Sequence, residues 1–346
     1  MTKERTSNFE ILRIISMCGI IAIHYLSGTF GGMAGNAVFP KFSWFFSQFI
    51  NSVACPLVNC FVLISGYFLV KQDKFGIRKS IDLLIISAFY GIIGYLIGIA
   101  TNNVGWSIKS LFFSIFPFFA GRRWFVETYI ILILLVPFIN KTLCKLDKNS
   151  FKILLFIQLG VFCVWYSLGL SSPLLDNGYG ITNFITLYLL GAYFKLFGVD
   201  SIFFNLSKAK LLLGYAFSTL LTFALSYFIY PFGYAFITII IGSICIFCFF
   251  AKVDIGCNKK INAISSAAFD VYFVHSDIYT SKLLIFELLR GKLFVGTVWM
   301  IPHLIVVTTL LYLLGMIFSK VRKSLFSISV NRLLDHSNII NITKII

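Results

Sequence analysis

Arg13 and His24 stand inside the first apolar segment of the chain, EILRIISMCGIIAIHYL, where an ordinary membrane anchor would carry neither. Ionisable side chains at that depth are costly and mark working sites. Neutral imidazole takes up a proton near pH 7, so His24 is the candidate catalytic base. Arg13 stays charged, and its planar fork suits phosphate or carboxylate. Eleven positions, at about 100° and about 1.5 Å per residue, bring the two side chains to within about 20° of one helical face, about 16 Å apart along the axis. One helix can therefore touch both ends of a long ligand. Each residue alone also has a plainer reading. His24 can be a packed histidine, and Arg13 can pair with Glu10 at i,i+3 or snorkel to the interface.

Other polar residues are sparser. His275 has Asp270 and Asp277 near it in sequence, which admits proton handling or substrate positioning; Asp270 and His275 lie about 140° apart on a helix and do not form an i,i+4 pair. Ser65 and Gly66 read as structural, because small residues are the usual contact between helices in lipid. Cys245 and Cys248 form a C-x-x-C inside an apolar run with no second ligand pair or nearby histidine, so no metal is expected. The eight cysteines fall in or near apolar runs and read as free thiols. His303 and His336 receive no role.

The elements that must position these residues are membrane spans. Of 346 residues 59% are hydrophobic, 18% aromatic and only 12% charged. That composition predicts an all-α, polytopic transmembrane bundle. Apolar runs long enough to cross a bilayer fall at about 9–29, 44–70, 81–100, 124–140, 153–170, 181–197, 211–230, 233–251, 264–285 and 297–318. The first run resembles a signal peptide, with Lys3 and Arg5 ahead of it, but its length and internal charges argue that it is retained. The stretch Leu111 to Ala120, broken by Pro117, is too short to span and reads as interfacial or re-entrant. A single membrane-embedded domain is expected over 1–320, followed by a basic cytoplasmic tail over 321–346.

The net charge of +16 does not call for nucleic acid, since Lys and Arg sit in short connections between apolar runs. With ten spans, 21 of the 29 Lys and Arg fall on the amino-terminal side and 7 on the other, Arg13 lying within a span. This bias puts both termini in the cytoplasm, Arg13 towards the cytoplasmic face and His24 towards the outer face. Arg122 and Arg123 break the pattern on the outer side, which suits either an anionic acceptor, such as a lipid-linked sugar phosphate, or simple headgroup contact.

The pattern R-IISMCGIIAI-H resembles the Arg, ten residues, His signature in the first span of the acyltransferase family 3 integral membrane proteins. Further matches follow in order: PLVNCFVLISGYFLV, closing on Ser65, Gly66 and Tyr67; a basic stretch of Lys74, Arg78 and Lys79; RRWFVETYIILILLVPFI; YLLGAYFKLFG; and SSAAFDVYFVHSDIY with His275. The resemblance covers about residues 7 to 318. It departs from the family at Arg122 and Arg123, where relatives often carry other polar residues, and no hydrolase-like domain is expected at the carboxyl end.

What the resemblance implies is transfer of an acyl group, acetyl foremost, from cytoplasmic acyl-coenzyme A to a hydroxyl of a cell-envelope glycan such as an exopolysaccharide, capsule or wall polymer, at the bacterial cytoplasmic membrane. Acyl-coenzyme A is then a co-substrate and no bound cofactor is implied. Arg13, with Arg78 and Lys79, would hold the phosphates, and the pantetheine arm would reach towards His24, as base or transient acyl carrier. Arg122, Arg123, Trp124, Glu127 and His275 form the expected substrate-binding set. A transporter of a glycan or small anion is the competing reading, against which no paired Gly/Pro-broken spans appear in corresponding halves. A glycan polymerase would be expected to show a large external loop. Nothing in the sequence sets an oligomeric state.

The charge bias makes a direct prediction. Reporter fusions after Lys148 and after Lys260 read cytoplasmic, and one after Asn177 reads external; an external signal at Lys148 would overturn the ten-span count.

Overall fold

The computed structural model describes residues 6–28, 32–33, 38–73, 76–121, 123–170, 176–198 and 201–326. Among them every regular element is helical. In chain order these are α1 (Ser7–Leu26), α2 (Phe42–Leu69), α3 (Ile77–Ala100), α4 (Ile108–Ile115), α5 (Trp124–Leu143), α6 (Lys148–Leu159), α7 (Trp165–Ser167), α8 (Ile181–Phe197), α9 (Ile202–Asn205), α10 (Lys208–Leu225), α11 (Ile237–Lys252), α12 (Lys259–Ser265), α13 (Ala268–His275) and α14 (Met300–Phe326). A π-helical turn, Gly160–Val164, joins α6 to α7.

Among the described residues, seven helices are long and apolar enough to cross a bilayer: α1, α2, α3, α5, α6 with α7, α10 and α14. α8 and α11 are apolar but shorter. The run expected to span 264–285 is not one helix. It divides into α12, α13 and a π-helical turn at Leu283–Leu288. The cause is local: Asp277 Oδ1 accepts the N–H of Tyr279 at 3.0 Å and the Thr280 hydroxyl at 3.4 Å. That side-chain turn competes with helix continuation just beyond His275. The expected interfacial segment appears as α4 followed by a 3-10 turn at Pro117–Ala120. α14 continues past residue 320, so the first six residues of the expected tail are helical. The rest of that tail lies outside the described residues, as do Lys74 and Arg122.

Side chains cap the aqueous helix ends. Asp147 accepts from Asn149 and Ser150 at the start of α6, and Ser207 accepts from Lys210 at the start of α10. Asn258 accepts from Lys260 and Ile261 at the start of α12, while its own N–H donates to Ser7 Oγ at 2.6 Å and so ties α12 to the head of α1. Each cap satisfies donors that a helix start leaves free.

α2 is the central helix, packed by α1, α8, α10 and α11. Pro56 removes one donor inside it, and the Pro56 carbonyl accepts the Ser243 hydroxyl of α11 at 2.9 Å. Against α8 the approach is closer still: a Cβ at Gly66 would strike the Tyr188 carbonyl, and one at Gly191 would strike the Leu63 carbonyl. Glycine is required at this crossing, the close contact that small residues permit in lipid.

Gly66→Ala should therefore overpack the α2 and α8 crossing, at a cost of about 1–3 kcal/mol. Thermal unfolding in nanodiscs checks this, and an unchanged midpoint would count against the close crossing.

Candidate active site

α1 carries Arg13 near Tyr129 of α5 and His24 against α13. At the Arg13 end the guanidinium pairs with Glu10, the i,i+3 contact foreseen as its plainer role. Tyr129 is buried beside it. Its hydroxyl meets Ser65 Oγ at 2.9 Å and accepts from Lys79 Nζ at 3.0 Å, and the charge of Arg13 also bears on it. Helices α1, α2, α3 and α5 thus bring two cations to one phenol. Arg78, next to Lys79, is exposed at the start of α3.

At the other end His24 is partly exposed and faces α13. Its ring lies 5.0 Å from that of His275 and 6.2 Å from that of Tyr272, centroid to centroid. His275 is fully buried. Its Nδ1 lies 2.5 Å from the Val271 carbonyl, which can only accept, so Nδ1 carries the proton. Nε2 is then a lone-pair nitrogen, with no hydrogen-bond partner among the described residues. This ring belongs to the last residue of the short α13, and the Asp277 turn follows immediately after it.

Rings join the two ends. Phe125 lies 6.2 Å from Tyr129 and 6.4 Å from Tyr272, and Phe269 lies 6.0 Å from Tyr129 and 6.4 Å from Phe61. A series of rings therefore links Tyr129, at the cationic cluster, to the histidine pair.

The set expected to bind substrate divides. Arg123 is buried, not open: it donates to the Ser87 carbonyl at 2.8 Å and hydroxyl at 3.0 Å, lies 3.3 Å from Asp277 Oδ2, and covers the Phe273 ring at 4.7 Å. These contacts make Arg123 a brace between α3, α5 and the turn after α13. Glu127 turns back to accept the Arg123 backbone N–H at 3.0 Å and so holds the head of α5. Trp124 packs with Tyr179 and Tyr234 and also meets Phe125. Asp270 is held by Arg322, at 2.6 and 3.1 Å, and by Tyr90 at 2.9 Å, away from His275. His303 accepts the Tyr25 hydroxyl at 2.9 Å and donates to the Leu289 carbonyl at 2.8 Å, fastening α1 to α14.

Sequence reasoning missed Tyr129 and Tyr272. Tyr272 had a signal, since it precedes His275 by three and shares its face; Tyr129 had none among sixteen tyrosines. Among the described residues no group of three or more His, Cys, Asp or Glu is arranged to hold a metal ion.

The family described as an acyltransferase domain matches residues 7–328, nearly the whole chain. No curated protein and no solved structure matches.

The buried brace predicts a stability pattern. Asp277→Ala strands the Arg123 charge and should cost about 3–5 kcal/mol, whereas the double variant Arg123→Met, Asp277→Leu should recover most of that loss. Unfolding of both in nanodiscs checks it; equal midpoints for the single and double variants would show that the two residues are not coupled.

Proposed function

The chain belongs to this acyltransferase family, and from that premise we propose that it carries an acyl group, acetyl foremost, from cytoplasmic acyl-coenzyme A to a hydroxyl of a cell-envelope glycan. The observation that supports the reading most is the division of labour along α1. Cations gather at one end around Tyr129, two imidazoles meet at the other, and a series of rings links them. A thin arm carrying phosphates at one end and a thioester at the other fits those requirements. Arg13 and Lys79 take the phosphate end, with Arg78 at the aqueous edge. Ten spans, both termini in the cytoplasm, and a bacterial plasma membrane complete the proposal.

In this mechanism His24 takes the proton from the acceptor hydroxyl as its oxygen attacks the thioester carbonyl. The C–S bond breaks, the coenzyme A sulfur leaves, and it receives the proton from His24. His275 is held in one tautomer by the Val271 carbonyl and offers Nε2 beside the working imidazole. Its ring, packed beside that of His24, limits the orientations the base can take. A transient acyl-His24 is the other route through the same residues.

His24→Ala should lower transfer by about 10²–10⁴-fold with insertion intact; near-normal glycan acylation by a well-expressed variant would refute the assignment. Arg13→Lys keeps the charge but loses the planar fork, so donor binding should weaken, while His24→Gln should bind donor and fail to transfer. Donor affinity in nanodiscs, measured beside turnover of a radiolabelled acyl group, separates the roles. Normal binding by Arg13→Lys with lost binding by His24→Gln would reverse them.

A further inference from the structure

Lys79 is exposed near the start of α3, yet its ammonium is turned onto the buried phenol of Tyr129. A lysine left to itself extends its charge to water. Its charge is also a point on a flexible stem, which grips an anion poorly unless the nitrogen is held in place. The hydrogen bonds beyond Tyr129 supply that hold, and the donors alone fix their direction.

Ser65 Oγ lies 2.9 Å from the Phe61 carbonyl and 2.9 Å from the Tyr129 hydroxyl. A carbonyl only accepts, so the single Ser65 proton goes to Phe61 and Ser65 accepts from Tyr129. That commits the phenol proton. Lys79 Nζ, 3.0 Å from the same hydroxyl, only donates, so the Tyr129 oxygen accepts from it. One arrangement satisfies every contact: Lys79 Nζ–H to Tyr129 Oη, Tyr129 Oη–H to Ser65 Oγ, and Ser65 Oγ–H to the Phe61 carbonyl. The line runs from an exposed cation on α3, through buried hydroxyls of α5 and α2, to the backbone of α2. Each bond polarises the next, and the oxygen of the phenol faces the ammonium.

The anchor leaves the cation usable. Lys79 spends one of its three N–H groups on Tyr129 and keeps two. Among the described residues no carboxylate forms a salt bridge with it, whereas Arg13 is paired with Glu10. A tether between helices would need only the Tyr129 to Ser65 bond; the lysine adds a charge that neutral oxygens hold without cancelling. We propose that Tyr129 and Ser65 are positioning residues that hold the Lys79 ammonium for a phosphate of the acyl donor, an inference that rests on the acyltransfer reading above. Neither hydroxyl acts on the thioester. Their effect therefore falls on donor affinity, and only through the part of the donor that bears phosphate.

The test titrates the full-length protein in nanodiscs with acetyl-coenzyme A and, separately, with S-acetylpantetheine, which keeps the thioester and the arm but carries no phosphate. Tyr129→Phe keeps the ring and removes the hydroxyl, so its Kd for acetyl-coenzyme A should rise roughly tenfold, as for one hydrogen bond to a charged group. Ser65→Ala should raise it roughly threefold, because Tyr129 keeps Lys79 but loses its own acceptor. The response to S-acetylpantetheine should be the same in the wild type and Tyr129→Phe, which a disturbed fold would not allow. Lys79→Met keeps the stem and removes the charge, and adding Tyr129→Phe to it should weaken binding of acetyl-coenzyme A no further. Further weakening in that double variant, an equal loss for both donors, or unchanged acetyl-coenzyme A affinity in Tyr129→Phe would overturn the proposal while leaving the enzymatic reading in place. A wild type that fails to bind acetyl-coenzyme A would overturn the acyltransfer reading and this proposal with it.

Discussion

A polar side chain inside a bilayer has no water to turn to, so its partner must come from the protein. This constraint organises the bundle. Asn8 donates to the Phe250 carbonyl, Asn59 to the Tyr234 carbonyl, and Asn140 to the carbonyls of Leu69 and Gln72 while accepting from Tyr188. Each bond ties segments far apart in sequence, and the apolar packing between them has no direction of its own. The polar bonds therefore set which helix meets which, and the glycine crossing of α2 and α8 sets how closely. Against that background, the His275 imidazole stands out: one nitrogen is satisfied by its own helix, and the other has no hydrogen-bond partner among the described residues.

Much of this was legible in the sequence, for the same reason. Arg13 and His24 are conspicuous because charge and imidazole are expensive in an apolar run, and helical periodicity alone places them on one face. Family resemblance and helical class were legible from ordered motifs and apolar runs, and the family match spans the same region. The break after His275 was not legible, because span-reading weighs apolar content and Asp277 ends the helix by capturing two nearby donors. Arg123 misled in a related way. A charge in a short external connection looks the same whether it faces solvent or is buried against an aspartate 154 positions later. Tyr129 was invisible, since its position gains meaning only when four helices converge on its hydroxyl.

The aromatic content has an architectural role beyond hydrophobicity. Phe125 adjoins Tyr129, Tyr272 and Trp124, so one side chain of α5 links the cationic end, the histidine end and the rings of Trp124, Tyr179 and Tyr234. Rigid rings with few rotamers hold such a junction at low entropic cost. Polar groups that must act are thereby positioned by neighbours that do not compete for their hydrogen bonds.

The Arg123 to Asp277 brace also carries a statement about time. A ribosome adding about 5–20 residues per second needs on the order of ten seconds to travel from one residue to the other. Throughout that interval the first half of the protein is in the membrane with an arginine whose counter-ion has not been made. Arg123 must wait at the aqueous boundary, where its long stem lets the charge reach water. Its contact with Asp277 can form only once the turn after α13 has been made. The same order delays Arg322, the partner of Asp270, until the final helix. The nascent chain therefore matures from its carboxyl-terminal end, and His24 of its first helix meets His275 only near the close of synthesis.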